Sequence, residues 1–362
     1  MDAPALSPDG KRLAFISENA EGAFVLVAAV ETGSVTARIP IRATSLPGLT
    51  WANADTLLLF APQTIVIPFG GPLLSIQPFS IDLSSPEKIA TRQLLLDHPR
   101  YKLNKSIIPV LFGSPALSVR LIGYERRTGR VLLSRWDTGG ERSLYAVDAK
   151  TDESTLIDRG TRFTRDWVVD TEGMPIFRFE YTEAADRFRL LARRGDEWTP
   201  IAQETAELPE LAVYGLDGAR VGARDDIVVG FRPRDVGRYG LYAMSAETGE
   251  ISRSLYAHPS ADVATARIDP YTNVVVGADA ADRTVWFDAG LAMYQAQLDR
   301  TWVDGSPRIL AWSEDRKRIV VGVDRPERAP TYYLYDTKAS TAEEIGSRYP
   351  ALDGMKLASR KA

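Results

Sequence analysis

Residues 7–17 read SPDGKRLAFIS. Pro8, Asp9 and Gly10 favour a tight turn, and Arg12 to Ile16 then run mostly apolar with strand-forming residues. This turn-then-strand phrase returns as TWANADTLLLFAP (50–62), WVVDTEGMPIFRF (167–179), IDPYTNVVVGA (268–278) and AWSEDRKRIVVGV (311–323). A complementary phrase, strand then turn, reads FVLVAAVETGS (24–34), SLYAVDAKTDES (143–154), GLYAMSAETGEI (240–251) and YYLYDTKASTAEEI (332–345). Weaker copies are QPFSIDLSSPE (77–87), FRLLARRGDEW (188–198) and MYQAQLDRTW (293–302). The centres of the second phrase fall near Leu26, Phe79, Tyr145, Leu190, Tyr242, Tyr294 and Leu334, a mean spacing of about 51 residues.

One copy of each phrase, with its partner strands, makes a four-stranded antiparallel sheet. Such a sheet cannot bury both faces alone, so the sheets stack around an axis. A 40–50-residue period with four strands per repeat is the propeller signature. The pattern predicts an all-β protein, a seven-bladed β-propeller of four-stranded antiparallel blades. A helical fold is disfavoured because no window sustains i, i+3, i+4 apolar spacing. Residues 204–211 and 288–298 read as short helices or irregular loops. The long interval from Phe79 to Tyr145 places an extra loop around residues 97–106. Trp51, Trp167, Trp286 and Trp312 fall at or beside strand starts, so burial between blades is expected. Closure should involve the N-terminal segment near Leu13–Ile16, paired with the last blade or sealing the first blade onto it.

The chain has 362 residues, 44% of them hydrophobic, enough for a large core. Lys and Arg number 44 against 48 Asp and Glu, a net charge of -4. That balance, with no basic run beyond the three residues Arg316 to Arg318, argues against a basic nucleic-acid face. There is no cysteine, hence no disulfide and no thiolate ligand or nucleophile. No apolar stretch approaches the roughly 20 residues of a membrane helix. The first residues lack a signal-peptide pattern, and the compartment stays open.

Catalytic groups are hard to assemble from this sequence. The G-x-S-x-G elbow of a serine hydrolase is absent; after Gly113-Ser114, Ala116 stands where the second glycine would be. Only two histidines exist, His98 and His258, each in a loop-like His-Pro pair. Two histidines without cysteine make a poor zinc site, so no metal and no cofactor is expected. The acid pairs Asp225-Asp226, Glu343-Glu344 and Asp279 with Asp282 read as turns between strands. Trp136-Asp137 matches a dipeptide of another propeller family, but it occurs once and without the Gly-His partner.

Longer phrases carry a resemblance. Residues 240–288, residues 166–179 followed by an arginine-rich strand and Glu197-Trp198, and the closing residues 311–340 resemble the propeller of bacterial serine peptidases of the prolyl oligopeptidase (S9) family, in the branch of dipeptidyl and acylaminoacyl peptidases. The phrases His-Pro-x-x-Asp-Val (258–263), Asp-Pro-x-Thr (269–272) and Tyr-Tyr-Leu-Tyr-Asp (332–336) come in that order. The resemblance covers nearly the whole chain. It implies residues 1–350 as the propeller and 351–362 as a linker toward an α/β-hydrolase domain. That domain, in cis or as a separate chain, would carry serine, aspartate and histidine.

The implied role is non-catalytic: the propeller limits entry of short peptides to a hydrolase domain outside this chain. The loop with His98, Arg100, Tyr101, Lys102 and Lys105 is the candidate substrate or docking segment, being long and mixed in charge. An exposed apolar patch should mark the docking face. The alternative is a free-standing propeller that binds a protein or peptide. A sugar-active propeller ranks third and needs two carboxylates converging in the channel.

Overall fold

The structure is a computed structural model. It describes residues 2–41, 48–67, 71–85, 87–95, 119–137, 140–182, 187–205, 211–218, 226–233 and 236–355. Seven antiparallel sheets follow one another along the chain. Blade 1 comprises β1 (Asp2–Leu6), β2 (Arg12–Asn19), β3 (Gly22–Ala29) and β4 (Val35–Ile41). Blade 2 comprises β5 (Gly48–Asn53), β6 (Thr56–Ile67), β7 (Gly71–Asp82) and β8 (Ala90–Gln93). Blade 3 comprises β9 (Arg120–Glu125), β10 (Arg130–Trp136), β11 (Arg142–Val147) and β12 (Ser154–Arg159). Blade 4 comprises β13 (Thr164–Val169), β14 (Pro175–Thr182), β15 (Arg187–Arg194) and β16 (Glu197–Thr205). Blade 5 comprises β17 (Ala212–Leu216), β18 (Ile227–Phe231), β19 (Gly240–Met244) and β20 (Ile251–Tyr256). Blade 6 comprises β21 (Val263–Ile268), β22 (Val275–Ala280) and β23 (Arg283–Trp286), followed by the helix α1 (Ala289–Thr301). Blade 7 comprises β24 (Ser306–Trp312), β25 (Arg318–Arg325), β26 (Arg328–Asp336) and β27 (Thr341–Ser347).

The protein is thus an all-β seven-bladed propeller, with six blades of four strands and one of three among the described residues. The recurring phrases mark equivalent places. The turn-then-strand phrase is the joint between a blade's first and second strands, and the strand-then-turn phrase is its third strand. The copy at residues 293–302 is the exception. It lies in α1, whose Leu291 and Leu298 are buried one heptad apart on a single helical face. Gln295 Nε2 donates to the Pro307 carbonyl (2.8 Å) and Tyr335 Oη to Gln297 Oε1 (3.0 Å), so the helix packs on blade 7. Glu343 and Glu344 lie in strand β27, and Asp279 in β22, where a turn was expected; Asp282 does lie in a turn.

By contacts the chain divides into two compact units. The first is Met1–Leu94, Ala149–Asp152 and Gly290–Ala362, with blades 1, 2 and 7. Its core includes Ala14, Val25, Val27, Leu57 and Ile81, all buried, and Trp51, whose Nε1 donates across blades to the Ala5 carbonyl (3.0 Å). The second is Leu95–Asp148 and Glu153–Ala289, with blades 3 to 6. Its core runs through Val168, Phe177, Phe188, Leu190, Leu216, Ile227 and Val229.

Every blade is built from contiguous chain, and this decides how first meets last. Residues Leu13–Ile16 belong to β2 and pair inside blade 1, while β27 pairs only with β26 among the described strands. Among the described strands none is exchanged. Blade 1 seals onto blade 7 by side chains, Leu6 and Leu13 against Val320 and Leu334, and by the Glu314 N–H donating to the Pro8 carbonyl (2.8 Å). The four tryptophans are all buried. Trp51 and Trp167 lie inside first strands, while Trp286 and Trp312 end theirs, rather than beginning them.

Candidate functional site

His98, Arg100, Tyr101, Lys102 and Lys105 lie outside the described residues. The root of their loop is described, and it is firmly built. The Leu95 carbonyl accepts from Arg135 Nη1 (2.8 Å), and Arg135 is 2% exposed. Arg135 also faces Asp137 (3.5 Å) and lies over the Tyr145 ring (5.1 Å). Tyr145 Oη donates to the Asp137 carboxylate at 2.8–2.9 Å. Burial, then the bond to Asp137, raises the Tyr145 phenol above its ordinary pKa. Arg135 and Asp137 are two apart near the end of β10, so the pleat sends both to one side. The Trp-Asp dipeptide therefore has a local use: its acid neutralises a buried arginine that holds the loop root.

The cluster continues into blade 4. Arg142, at the start of β11, gives Nε and Nη2 to Ser134 Oγ (3.2 and 3.1 Å), and burial pushes its guanidinium down to about 10. Glu180, 1% exposed, meets Arg189 (2.6 Å) and Arg178 (3.2 Å) and accepts from Thr161 Oγ1 (3.1 Å). Asp158 accepts both Trp167 Nε1 (2.8 Å) and Trp198 Nε1 (3.1 Å), pinning blade 3 to blade 4. Buried charges paired in this way fix geometry more than they add stability. This end of blades 3 and 4 is a preorganised polar platform next to Leu95 in the chain. No pattern in the sequence flags Glu180 or Asp158, because apart from the Arg178–Glu180 pair their partners lie 9 to 40 residues away.

The signature phrases prove to be joints. His258 Nδ1 accepts the N–H groups of Ser260 (3.2 Å) and Ala261 (3.0 Å), which commits that nitrogen to closing a turn. Asp262 accepts from the Tyr239 N–H (2.7 Å) and pairs with Arg232 (2.9 Å), and these two partners hold its carboxyl below the usual range. Asp269 Oδ1 accepts the Tyr271 N–H (2.9 Å). Asn273, at φ +59°, gives Nδ2 to the Asp170 carbonyl of blade 4 (3.3 Å) and its own carbonyl to Leu216 N–H of blade 5 (3.0 Å).

A second concavity lies within the first unit. The joint SPDGKR of blade 1 and its counterpart SEDRKR (313–318) of blade 7 line a groove of about 830 Å³ with Arg12, Asp315, Arg318 and Asp336. Its charges are of both signs and locally paired: Arg12 with Asp55 (3.0 Å), Lys317 with Asp315 (2.8 Å), Arg318 with Asp336. Among the described residues no group of three or more potential metal ligands occurs. No helix among them is long and apolar enough to cross a membrane.

No protein-family profile and no curated protein matches this chain. Solved structures do. A puromycin hydrolase mutant complexed with PGG shares 14% identity at a TM-score of 0.48, over 96% of this chain and 53% of its own. The acylaminoacyl peptidase of Pyrococcus horikoshii shares 12% at 0.42, over 97% of this chain and 45% of its own. A periplasmic gluconolactonase of Pseudomonas aeruginosa shares 12% at 0.36, over 99% and 86%. The likeness is one of fold: the chain is similar to the propellers of prolyl oligopeptidase-family enzymes and spans about half the length of those peptidases.

Proposed function

We propose that this chain is the propeller portion of a serine peptidase of the prolyl oligopeptidase family, and that it restricts access to a hydrolase domain outside the chain to short peptides. The observation that supports this is the placement of the three signature phrases. They fall in order on the joint into blade 6, the first turn of blade 6 and the third strand of blade 7. Their side chains close turns and clasp blades, so they serve scaffold geometry. The platform of buried Arg135, Asp137 and Glu180 with partly buried Asp158 is suited to presenting a fixed polar surface to a partner.

The test is a peptidase assay with short chromogenic aminoacyl and dipeptidyl substrates. It compares this chain alone with the same chain joined to an α/β-hydrolase domain of the family. Activity only in the joined protein, falling as the peptide lengthens, is the expected result. Hydrolysis by the chain alone would refute the non-catalytic role.

A second reading, a free-standing propeller holding a peptide or protein segment, is favoured by the groove of blades 1 and 7. Its volume lies in the range of small-ligand sites. Arg318→Ala would weaken binding of a mixed-charge peptide under this reading and leave peptidase activity of the joined protein unchanged under the first.

A further inference from the structure

Asn273 lies in the turn that joins β21 to β22, just before the second strand of blade 6, at φ +59°. In blades 3 and 4 the left-handed residue just before the second strand is glycine, Gly129 at φ +69° and Gly173 at φ +90°. Glycine meets no steric cost in that region, and asparagine only tolerates it. The turn by itself therefore has no need of a side chain here. The surroundings of the amide show what it does.

The first strands of blades 3 to 6 touch in succession, β9 with β13, β13 with β17 and β17 with β21. Blade 5 is thus the neighbour of blade 6, and blades 4 and 3 lie beyond it. Asn273 reaches all three. Its carbonyl accepts the Leu216 N–H of blade 5 (3.0 Å), and its Nδ2 donates to the Asp170 carbonyl of blade 4 (3.3 Å). Its amide also lies against Gly123 of blade 3, where a Cβ would stand 3.1 Å from Oδ1 and 3.2 Å from Nδ2. Contacts that skip one and two blades cross the inner space that the four first strands enclose. Blades 3 and 5 make room for the turn with bare backbone. A Cβ at Gly215 would lie 2.5 Å from the Asn273 carbonyl oxygen, and one at Gly218 would lie 2.7 Å from Val274 Cγ1. A further extended chain needs about 4.7–4.9 Å to a neighbouring strand, and these contacts leave no such gap around the turn.

We propose that this turn, with Asn273 at its tip, is a stopper. It shuts the inner space of blades 3 to 6 to peptides at the end where first strands pass into second strands. The inference rests on the access role proposed above and deepens it: peptides reach the hydrolase domain by a route that does not thread between these four blades.

Asparagine-selective isotope labelling of the whole chain tests the contact by NMR, since the chain holds four asparagines. A nuclear Overhauser contact between the Asn273 side-chain amide and the Gly123 α protons is expected, and its absence overturns the proposal. A second test seals the same spot covalently. Gly123→Cys with Asn273→Cys should close a disulfide on mild oxidation. A Val169→Ala background clears the 2.8 Å approach that a Cβ at 123 would make to Val169 Cγ2. The joined protein of the assay above is then compared oxidised and reduced. Its kcat/KM for short peptides should differ by less than about twofold between the two states. A loss of about tenfold or more on oxidation, restored by reduction, would show that peptides pass here and overturns the stopper. No activity in either state refutes the access role, and the nuclear Overhauser contact then decides closure on its own.

Discussion

At the scale of single residues, the two joints that flank the blade 1–blade 7 seam are chemical copies that differ at two positions, Pro8 against Glu314 and Gly10 against Arg316. In both, a serine hydroxyl donates to an aspartate two residues on, at 2.7 Å (Ser7 to Asp9) and 2.8 Å (Ser313 to Asp315). In both, the arginine N–H that opens the next strand donates back to that serine, at 2.9 and 3.1 Å. The residue after the aspartate is left-handed in each, Gly10 at φ +70° and Arg316 at φ +56°. Only glycine adopts this region without steric cost. Arg316→Gly should therefore stabilise the protein by about 0.5–1 kcal/mol in thermal or denaturant unfolding. Gly10→Ala should destabilise it by about 1–2 kcal/mol, with further crowding because a Cβ there would lie 3.1 Å from Arg318 Cγ. Asp315 adds a pH signature. Lys317 first, helped by Ser313, holds its carboxyl down to about 2, against 3.8 when unfolded. Its stabilisation is thus complete above pH 4 and is lost as pH falls toward 2. Asp315→Asn should cost about 0.5 kcal/mol near pH 6, a small figure because the group is half-exposed, and the deficit should close by pH 2. The turn chemistry was legible in SPDGKR itself; the left-handed Arg316 was legible only by aligning the two copies.

At the scale of elements, the apolar third strands were the easiest to read; β11 and β19 are buried along their whole length and so run apolar without alternation. Tyr145, Leu190 and Tyr242 sit buried within third strands. Helix α1 falls where residues 288–298 read as a short helix or irregular loop, while the overlapping MYQAQL also passed as a weak copy of the third strand because its apolar residues fit a short alternation; the seven-residue interval between Leu291 and Leu298 favours the helix. Burial of the tryptophans followed from their size and place, but not their anchors, which come from other blades. Asp158→Ala should leave two indole N–H groups without their acceptor and cost about 2–3 kcal/mol. Trp167→Ala should cost about 3–5 kcal/mol. Because both changes remove the same contact, the double variant should fall short of their sum. Asn273→Ala should destabilise more than Asn273→Gly, which loses the clasp to blade 4 but keeps the left-handed turn.

At the scale of the whole molecule, blade number came from a period in the sequence, while the polar platform of blades 3 and 4 did not. Its members are ordinary arginines and acids that acquire meaning only when distant strands pair. The contiguous build of each blade predicts tolerance to rewiring. The passage from β27 back to β1 repeats the outer-to-inner step that links successive blades. A circular permutant that joins these ends through a short linker and opens at Val303, which is 88% exposed, should fold with a melting temperature close to that of the parent.

That none of the described strands is exchanged also sets the chain's response to force. Blades 1 and 7 meet through packed side chains and the Glu314–Pro8 hydrogen bond, whereas each blade is an internal ladder of many. Tension applied between the two ends of the chain loads that seam before it loads any ladder. A stretched molecule should part there first, at low load and reversibly, and surrender its blades one by one only at higher load.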